Sequence, residues 1–405
     1  MYAFRKPFAV ATFEGLGYWG VDYKTLLIIS QVIGYTLSKF IGIKIISEMT
    51  SQKRVLYLLV LIIMAEVALF LFSITQAPYN IIMLFFNGLP LGMIWGIVFS
   101  FLEGRKVTEL LGAGLSVSFI FASGFVKSIG RMTIDYLGVS EFQMPYVTGA
   151  IFFLPILFFS YLLSLIPPPT EEDEKLRTER VPMDASSRKE FFKKFASGIV
   201  ILTLIYMFLT AFRDLRDNYI ANILNELGFN DTPLIFTATE IPITIIVLMV
   251  MGSLILIKDN VKALLINHYI ILLGIILIGA STLFYELGII SPIMWIVLGG
   301  LGLYLGYVPF NCIIFDRFIA TYKTAANAGF LIYIADSFGY LSSVGILLYK
   351  NFGYANINWL SFFIDTSYVV SIFGAVLAII SIFYFRGRKS SSSKSQNKLI
   401  KQYEY

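Results

Sequence analysis

The feature that most constrains this chain is a succession of apolar runs, each about as long as the roughly 20 residues that a helix needs to cross a bilayer. Of its 405 residues, 57% are hydrophobic and only 14% are charged, whereas a soluble domain carries about 25% charged residues. We therefore predict an all-α, multi-pass membrane protein. The predicted spans are Thr25–Ile46, Val55–Thr75, Ile81–Leu102, Leu110–Ile129, Pro145–Ile166, Ser197–Leu224, Pro233–Ile257, Leu264–Tyr285, Pro292–Phe315, Ala325–Leu348 and Trp359–Phe385.

The segment before the first of these spans is too short to cross a membrane. Only about a dozen residues precede the polar loop Phe13–Lys24, so we interpret them as a truncated first helix, and whether Met1 is the true start stays open. Counting this helix, the spans number six plus six. The predicted organisation is an N-terminal half 1–166, a charged linker 167–195, a C-terminal half 196–386 and a disordered tail 387–405, with an amphipathic surface helix at Lys189–Phe195.

A short motif occurs once in each half. It is Ala3-Phe4-Arg5-Lys6 near the start and Ala211-Phe212-Arg213-Asp214 halfway along, and the two arginines are 208 positions apart. An arginine in an apolar stretch is costly and usually has a task or a partner. Two arginines at matching places of two halves predict a paired anion clamp. The alternative is that each arginine pairs with a neighbouring acid or a helix end and only holds helices together.

The correspondence between the halves extends beyond the arginines. Gln31 matches Glu240 at an offset of 209, and Gly88 matches Gly300 at an offset of 212. A slowly drifting offset is what two diverged copies with small insertions produce. We therefore predict a parallel repeat about an axis along the membrane normal. The charged residues that follow the fourth and tenth spans, the truncated first helix being counted, also match: Glu103, Arg105, Asp316 and Arg317.

The remaining composition excludes several classes of function. The single cysteine, Cys312, and the single histidine, His268, leave no disulfide, no thiolate cluster and no histidine-based metal or catalytic site. We therefore expect no cofactor, no metal and no enzyme activity. The net charge of +5 lies in short loops and the tail, where it sets topology rather than binding nucleic acid. This bias places the linker and both termini in the cytoplasm.

The six-plus-six architecture resembles the major facilitator superfamily, and within it the organophosphate–phosphate antiporter branch. That branch has a Tyr-x-x-x-Arg-Lys-x-Phe pattern in its first helix, and the corresponding stretch here is Tyr2-Ala3-Phe4-Arg5-Lys6-Pro7-Phe8, one residue shorter. The resemblance continues in Ser38-Lys39-Phe40 and in Arg213. It implies a 12-helix fold whose two six-helix halves are related by pseudo-two-fold symmetry. It also implies that Arg5 and Arg213 hold a phosphate and that Lys39 adds positive potential. By analogy with the superfamily, the matching charged residues after the fourth and tenth spans form a gate network on the cytoplasmic side: Glu103, Arg105, Asp316 and Arg317.

The sequence departs from that branch in two ways. The histidine of its fifth helix has no counterpart, since Ser123 and Gly124 lie there. Asp214 and Asp217 lie beside Arg213, where they would weaken an anion site. The chain also resembles an uncharacterised family of bacterial membrane proteins that shares its opening motif, and that resemblance implies no substrate.

Other charged residues in the apolar spans complete the candidate set. Arg213 and Asp217 are spaced i,i+4 and could form an internal ion pair, whereas Arg216 could join the site or pair with Asp214 or an acid on another helix. Lys127 could face a cavity or extend to the outer interface. Three carboxylates could couple transport to protons or serve as counter-ions: Asp217, Glu240 and Asp336. The candidate substrate-binding residues are Arg5, Lys6, Lys39, Lys127, Arg213 and Arg216.

These features favour a secondary active transporter of a small anionic solute (an organophosphate, phosphate or a carboxylate) that works by alternating access. Two alternatives stay open. One is a membrane sensor on the same fold that binds an anion and signals to a partner protein, and the other is a proton-coupled transporter of a non-phosphate solute. We expect a monomer in the bacterial cytoplasmic membrane, in contact with lipid and with its solute and not with nucleic acid.

Overall fold

The computed structural model describes residues 1–47, 51–102, 108–167, 170, 185–229, 232–322, 328–353 and 357–403. These residues are mostly helical, and their two strands form one antiparallel hairpin. Two predicted gate residues, Glu103 and Arg105, and much of the predicted linker lie outside the described residues.

The first residues differ from the predicted truncated α-helix. Tyr2–Phe4 and Pro7–Val10 are two short 3-10 helices, with Pro7 at the start of the second, where its missing N–H costs nothing. A hairpin of β1 (Gly17–Tyr18) and β2 (Val21–Asp22) follows. Its two turn residues, Trp19 and Gly20, have φ of 54° and 74°, the pair of positive values that a type I′ turn requires.

Each remaining span predicted for the first half corresponds to a helix or a bent pair. The last span is broken, since α5 and α6 meet at 42°. Pro155 explains the break, because it has no N–H to bond the carbonyl of Ile151 one turn earlier. The helices are α1 (Tyr23–Ser47), α2 (Arg54–Ile74), α3 (Ile81–Leu102), α4 (Thr108–Leu137), α5 (Met144–Ile151) and α6 (Phe153–Ser164).

The second half follows its predicted spans, with most ends shifted: some helices are longer than predicted, whereas α8 and α10 are shorter. The helix that contains Arg213 begins at Ala185, and Phe195 interrupts it with φ of −121° and ψ of 15°, where the expected amphipathic segment ends. The last helix continues to Tyr403, through the stretch whose composition predicts disorder. The helices are α7 (Ala185–Glu226), α8 (Ile235–Ile255), α9 (Asn260–Glu286), α10 (Pro292–Cys312), α11 (Ile314–Tyr322), α12 (Ala328–Gly353) and α13 (Trp359–Tyr403).

The helices have the length and composition of membrane spans. Among the described residues, eight helices are long and apolar enough to cross a bilayer, and the bent α5–α6 pair is a ninth candidate. The chain is therefore a multi-pass membrane protein.

The chain divides into two compact units. Unit one comprises Met1–Thr178, Arg213–Ile245 and Tyr340–Ile364, and unit two comprises Glu179–Phe212, Ile246–Gly339 and Asp365–Tyr405. The predicted division of the chain into an N-terminal and a C-terminal half remains a prediction. In unit two, His268 bonds the carbonyl of Leu264 and the hydroxyl of Ser381 at 2.7 and 3.0 Å, and the thiol of Cys312 is buried and free of disulfide bonding. Both are residues of the packed interior.

Candidate functional site

A buried carboxylate with two lysines lies at the centre of the charged cluster in unit one. Asp217, on α7, forms ion pairs with Lys6 of the N-terminal segment and Lys127 of α4, and it also accepts a hydrogen bond from Ser123. Lys6 has a second acceptor, the side-chain oxygen of Asn218 at 3.1 Å. Both lysine side chains are only 4% exposed. One buried carboxylate thus pairs with two ammonium groups away from water.

The second carboxylate of α7 holds Arg213. Nε and Nη2 of Arg213 donate to one oxygen of Asp214 at 3.0 and 2.7 Å. Asp214 also accepts from Ser343 and has Lys6 and Arg5 as electrostatic neighbours. The hydroxyl of Tyr2 has Asp217, Arg213 and Arg5 as such neighbours. Arg213, like Arg5, is therefore part of the same cluster as Lys6, and Asp214 shares its negative charge among three cations.

Arg216 pairs with an acid on another helix, one of the arrangements that the sequence left open. Its Nη1 donates to Glu240 of α8 at 2.6 Å, and both side chains are buried. The close approach of α4 and α8 depends on Gly124, because a Cβ there would lie 2.4 Å from the backbone oxygen of Phe236. The hydroxyl oxygen of Ser128 accepts a hydrogen bond of 2.7 Å from the hydroxyl of Thr237 across the same contact.

Arg5 differs from the other cations of the cluster. It is 6% exposed, its guanidinium carbon lies 4.0 Å from the ring centre of Tyr35, and its Nε is buried without an acceptor. Within the described chain, the guanidinium of Arg5 forms no ion pair and donates no hydrogen bond. Lys39 lies over Tyr35 and Tyr340 at 5.5 and 5.1 Å from the ring centres. Two cations thus share one aromatic surface.

The charges of this cluster do not balance. With every group ionised, its five cations exceed its three carboxylates by two positive charges. Unscreened charge of this kind is expensive in a buried site unless something compensates it. The anion cluster, as we call it from here on, consists of Arg5, Lys6, Lys127, Arg213, Arg216, Asp214, Asp217 and Glu240.

A polar seam joins α1 to α7 at the end nearest the hairpin. Lys24, 1% exposed, donates to the carbonyl of Ala9 at 2.8 Å and to Asn222 at 2.7 Å. The hydroxyls of Thr25 and Tyr219 share a hydrogen bond of 2.5 Å. In the sequence, Lys24 is only the end of a polar loop, and nothing there predicts this seam.

The remaining predicted residues belong to unit two. Asp336 of α12 accepts a hydrogen bond of 2.6 Å from Tyr206, on α7. Arg317 of α11 donates to Asn260 at 2.7 Å, and Asp316 next to it is exposed. Of the four predicted gate residues, the structure thus describes only Asp316 and Arg317.

Several residues that contact the anion cluster were not predicted from the sequence. Tyr35 and Tyr340 belong to no recognisable sequence motif, and aromatic residues are too common in apolar spans to indicate a site. Asn218 could have been suspected, since it adjoins Asp217 in a charged stretch of a span. Ser123 drew attention only because it lies where the antiporter branch has a histidine in its fifth helix.

Comparison with known proteins supports the fold. The crystal structure of a D-xylose-proton symporter aligns with a TM-score of 0.62 and 13% identity over 94% of both chains. A structure of the proton dependent oligopeptide transporters aligns with a TM-score of 0.62 and 12% identity over 96% of both chains. The chain therefore has an all-α, major-facilitator-type fold. No curated protein matches it by sequence. A sequence profile described as "Family of unknown function (DUF5690)" matches residues 7–388.

Proposed function

Since the chain belongs to the family of unknown function DUF5690, we propose its function from its own site: it is a secondary active transporter of a small anionic solute. The solute is an organophosphate, phosphate or a carboxylate, and it is carried by alternating access. The fold supports transport, because it is shared with a symporter and with a peptide transporter. The charge of the anion cluster supports an anionic solute.

The observation that carries the proposal is Arg5, a buried guanidinium without a hydrogen-bond acceptor among the described residues. A buried polar group of this kind loses its water without replacement, and the loss is larger for a charged group. An anion that accepts its N–H groups would remove that cost. The planar fork of an arginine fits two oxygens of a phosphate or carboxylate at once.

Arg213 supplies the second half of the proposed clamp. In the described state its donors are engaged by Asp214 at 3.0 and 2.7 Å, so Asp214 occupies part of the place that a substrate oxygen would take. Binding would then exchange one carboxylate for another anionic oxygen. Such an exchange keeps the hydrogen-bond donors of Arg213 satisfied in both the empty and the loaded state.

The proposed location is the bacterial cytoplasmic membrane, with the linker and the C-terminus in the cytoplasm. The bias of lysine and arginine toward the loops of one side supports this orientation.

Counterflow into vesicles that contain the purified protein tests the proposal. The panel comprises inorganic phosphate, glycerol phosphate, sugar phosphates and small carboxylates, with a neutral sugar as the control solute. We expect exchange of at least one anion and none of the sugar, and we expect Arg213→Lys to reduce it strongly. Binding of an anion without any uptake would instead favour a sensor. Uptake of the neutral sugar alone, or an Arg213→Lys variant with full uptake, would contradict the clamp.

A further inference from the structure

Aromatic side chains attach the first part of α7 to the rest of unit two. Phe191 and Phe195 are spaced i,i+4, so they share one side of the helix, and both are buried. The ring centre of Phe195 lies 5.1 Å from that of Phe318 and 5.2 Å from that of Tyr322, both on α11. The aromatic side of this amphipathic segment is therefore covered by unit two itself.

The end of α13 also contacts this segment. Arg388 of α13 donates a hydrogen bond to the backbone carbonyl of Lys194, and its guanidinium carbon lies 4.5 Å from the ring centre of Phe195. Gly198 lets α7 and α13 approach closely, because a Cβ there would lie 2.6 Å from the ring of Tyr384. The first part of α7 and the end of α13 therefore lie side by side.

The other side of the segment is basic. Lys189 and Lys193 are spaced i,i+4, and each is two residues from Phe191, which places them about 200° around the helix from that ring. The stretches 189–195 and 383–388 together carry five basic residues and one acid. Four of the five basic side chains are exposed, and we call them the basic face: Lys189, Lys193, Lys194 and Arg386.

Exposed apolar side chains beside the basic face suit a lipid. Phe383 is 68% exposed within the apolar part of α13, where a membrane span contacts acyl chains. Arg386 is three residues further on, so it lies on the same side of the helix, just beyond the apolar run. Phe192 is also exposed, next to Lys193. A phospholipid presents its groups in the same order, acyl chains and then a phosphate.

We propose that the basic face binds an anionic phospholipid, with the phosphate on Arg386 and the neighbouring lysines and an acyl chain along Phe383. Guanidinium and ammonium groups bind phosphate oxygens through charge-assisted hydrogen bonds. An anionic lipid also complements the excess of positive charge, whereas a zwitterionic lipid has no net charge to offer. Bound there, the lipid fixes the start of α7 and the end of α13 at the membrane surface. The basic face belongs to unit two and needs none of the residues of the anion cluster.

Native mass spectrometry of the full chain, purified in detergent, tests the site by counting bound lipids. The probes are phosphatidylglycerol, which is anionic, and phosphatidylcholine with the same acyl chains, which is zwitterionic. We expect the wild type to bind the anionic lipid more tightly, and each cation removed to weaken this binding by roughly fivefold. Lys193→Gln with Arg386→Gln should therefore weaken it by about 25-fold. The matched control, Lys258→Gln with Lys262→Gln, removes two exposed lysines of unit two outside the basic face and should leave the affinity unchanged.

The acyl chain distinguishes a bound lipid from a bound soluble anion. Glycerol phosphate carries a phosphate without acyl chains, so a large excess of it should not displace phosphatidylglycerol. Phe383→Ser leaves every charge in place and should weaken the binding of phosphatidylglycerol. Displacement by glycerol phosphate, or by an acidic peptide such as polyglutamate, would overturn the lipid as the ligand of this site.

Two other outcomes would overturn the basic face as a specific site: equal binding of the two lipids, and an equal loss of affinity in the two double variants. Thermal unfolding without added lipid checks the fold of each charge variant and should show no change, since the replaced side chains are exposed. If the double variant does not fold, Lys193→Gln and Arg386→Gln are measured singly, and full affinity in both would refute the site.

Discussion

Arg216 and Glu240 join α7 to α8 through a buried ion pair of 2.6 Å. Removing one partner of such a pair leaves an uncompensated charge, which typically costs about 3–5 kcal/mol, whereas replacing both partners by apolar residues is often neutral. We expect Glu240→Leu to lower the thermal unfolding temperature in detergent markedly, and Arg216→Met with Glu240→Leu to restore most of it. A single variant as stable as the wild type would show that the pair is hydrated in the folded protein.

Arg5 should be the most sensitive cation for anion affinity. Arg5→Lys keeps the charge but loses the planar fork, so two charge-assisted hydrogen bonds cannot form together. With about 1.5–3 kcal/mol for a hydrogen bond to a charged group, we expect the concentration for half-maximal counterflow to rise by roughly tenfold or more. Arg131→Lys is the matched control, because Arg131 is 24% exposed and paired with Asp135. Equal effects at Arg5 and Arg131 would argue against a specific contact with the anion.

Two glycines of α4 allow the effect of close packing on stability to be measured apart from the effect of helix propensity. At Gly124 a Cβ would lie 2.4 Å from a backbone oxygen of α8, whereas at Gly114 it would meet no atom within 4 Å. Gly124→Ala should therefore destabilise the protein by about 1–3 kcal/mol, the usual cost of overpacking. Gly114→Ala should be neutral or stabilise the helix by up to about 1 kcal/mol. Thermal unfolding of both variants measures the difference, and the opposite order would refute the close contact of α4 with α8.

The seam between α1 and α7 should contribute measurably to stability. Tyr219→Phe removes the hydroxyl that shares a 2.5 Å hydrogen bond with Thr25 but keeps the ring, which is stacked on Trp359. A buried hydrogen bond contributes about 0.5–1.5 kcal/mol, and Thr25 would also be left without this partner. We expect a lower unfolding temperature for Tyr219→Phe and no change for Tyr79→Phe, since Tyr79 is 77% exposed. Equal melting of the two variants would mean that the hydroxyl of Tyr219 is not buried in this way.

The sequence predicted the spans well because apolar length alone dictates them. Ile81–Leu102 was predicted at its observed bounds, and the other helices differ at their ends, where polar flanks such as Ala185–Lys194 extend a helix beyond its apolar part. The N-terminal segment was predicted less well, since composition does not distinguish a short α-helix from two 3-10 helices.

The pairing of charges could not be obtained from the sequence. The i,i+4 spacing suggested an ion pair between Asp217 and Arg213, yet Asp217 binds Lys6 and Lys127, which are distant along the chain. Only the packing of the N-terminal segment and α4 against α7 brings these groups together. The repeat that matched Gln31 with Glu240 gave no hint of their different partners: Gln31 donates to Asn87 at 2.8 Å, whereas Glu240 holds Arg216.

The buried thiol of Cys312 has a practical consequence for spectroscopy. It is the one cysteine of the sequence, 9% exposed, and its sulfur lies 3.2 Å from the carbonyl oxygen of Val308. Fluorophores or spin labels attached to an introduced surface cysteine should therefore report from a nearly silent background. When the protein melts, the native thiol becomes reactive and marks the loss of structure without any added probe site.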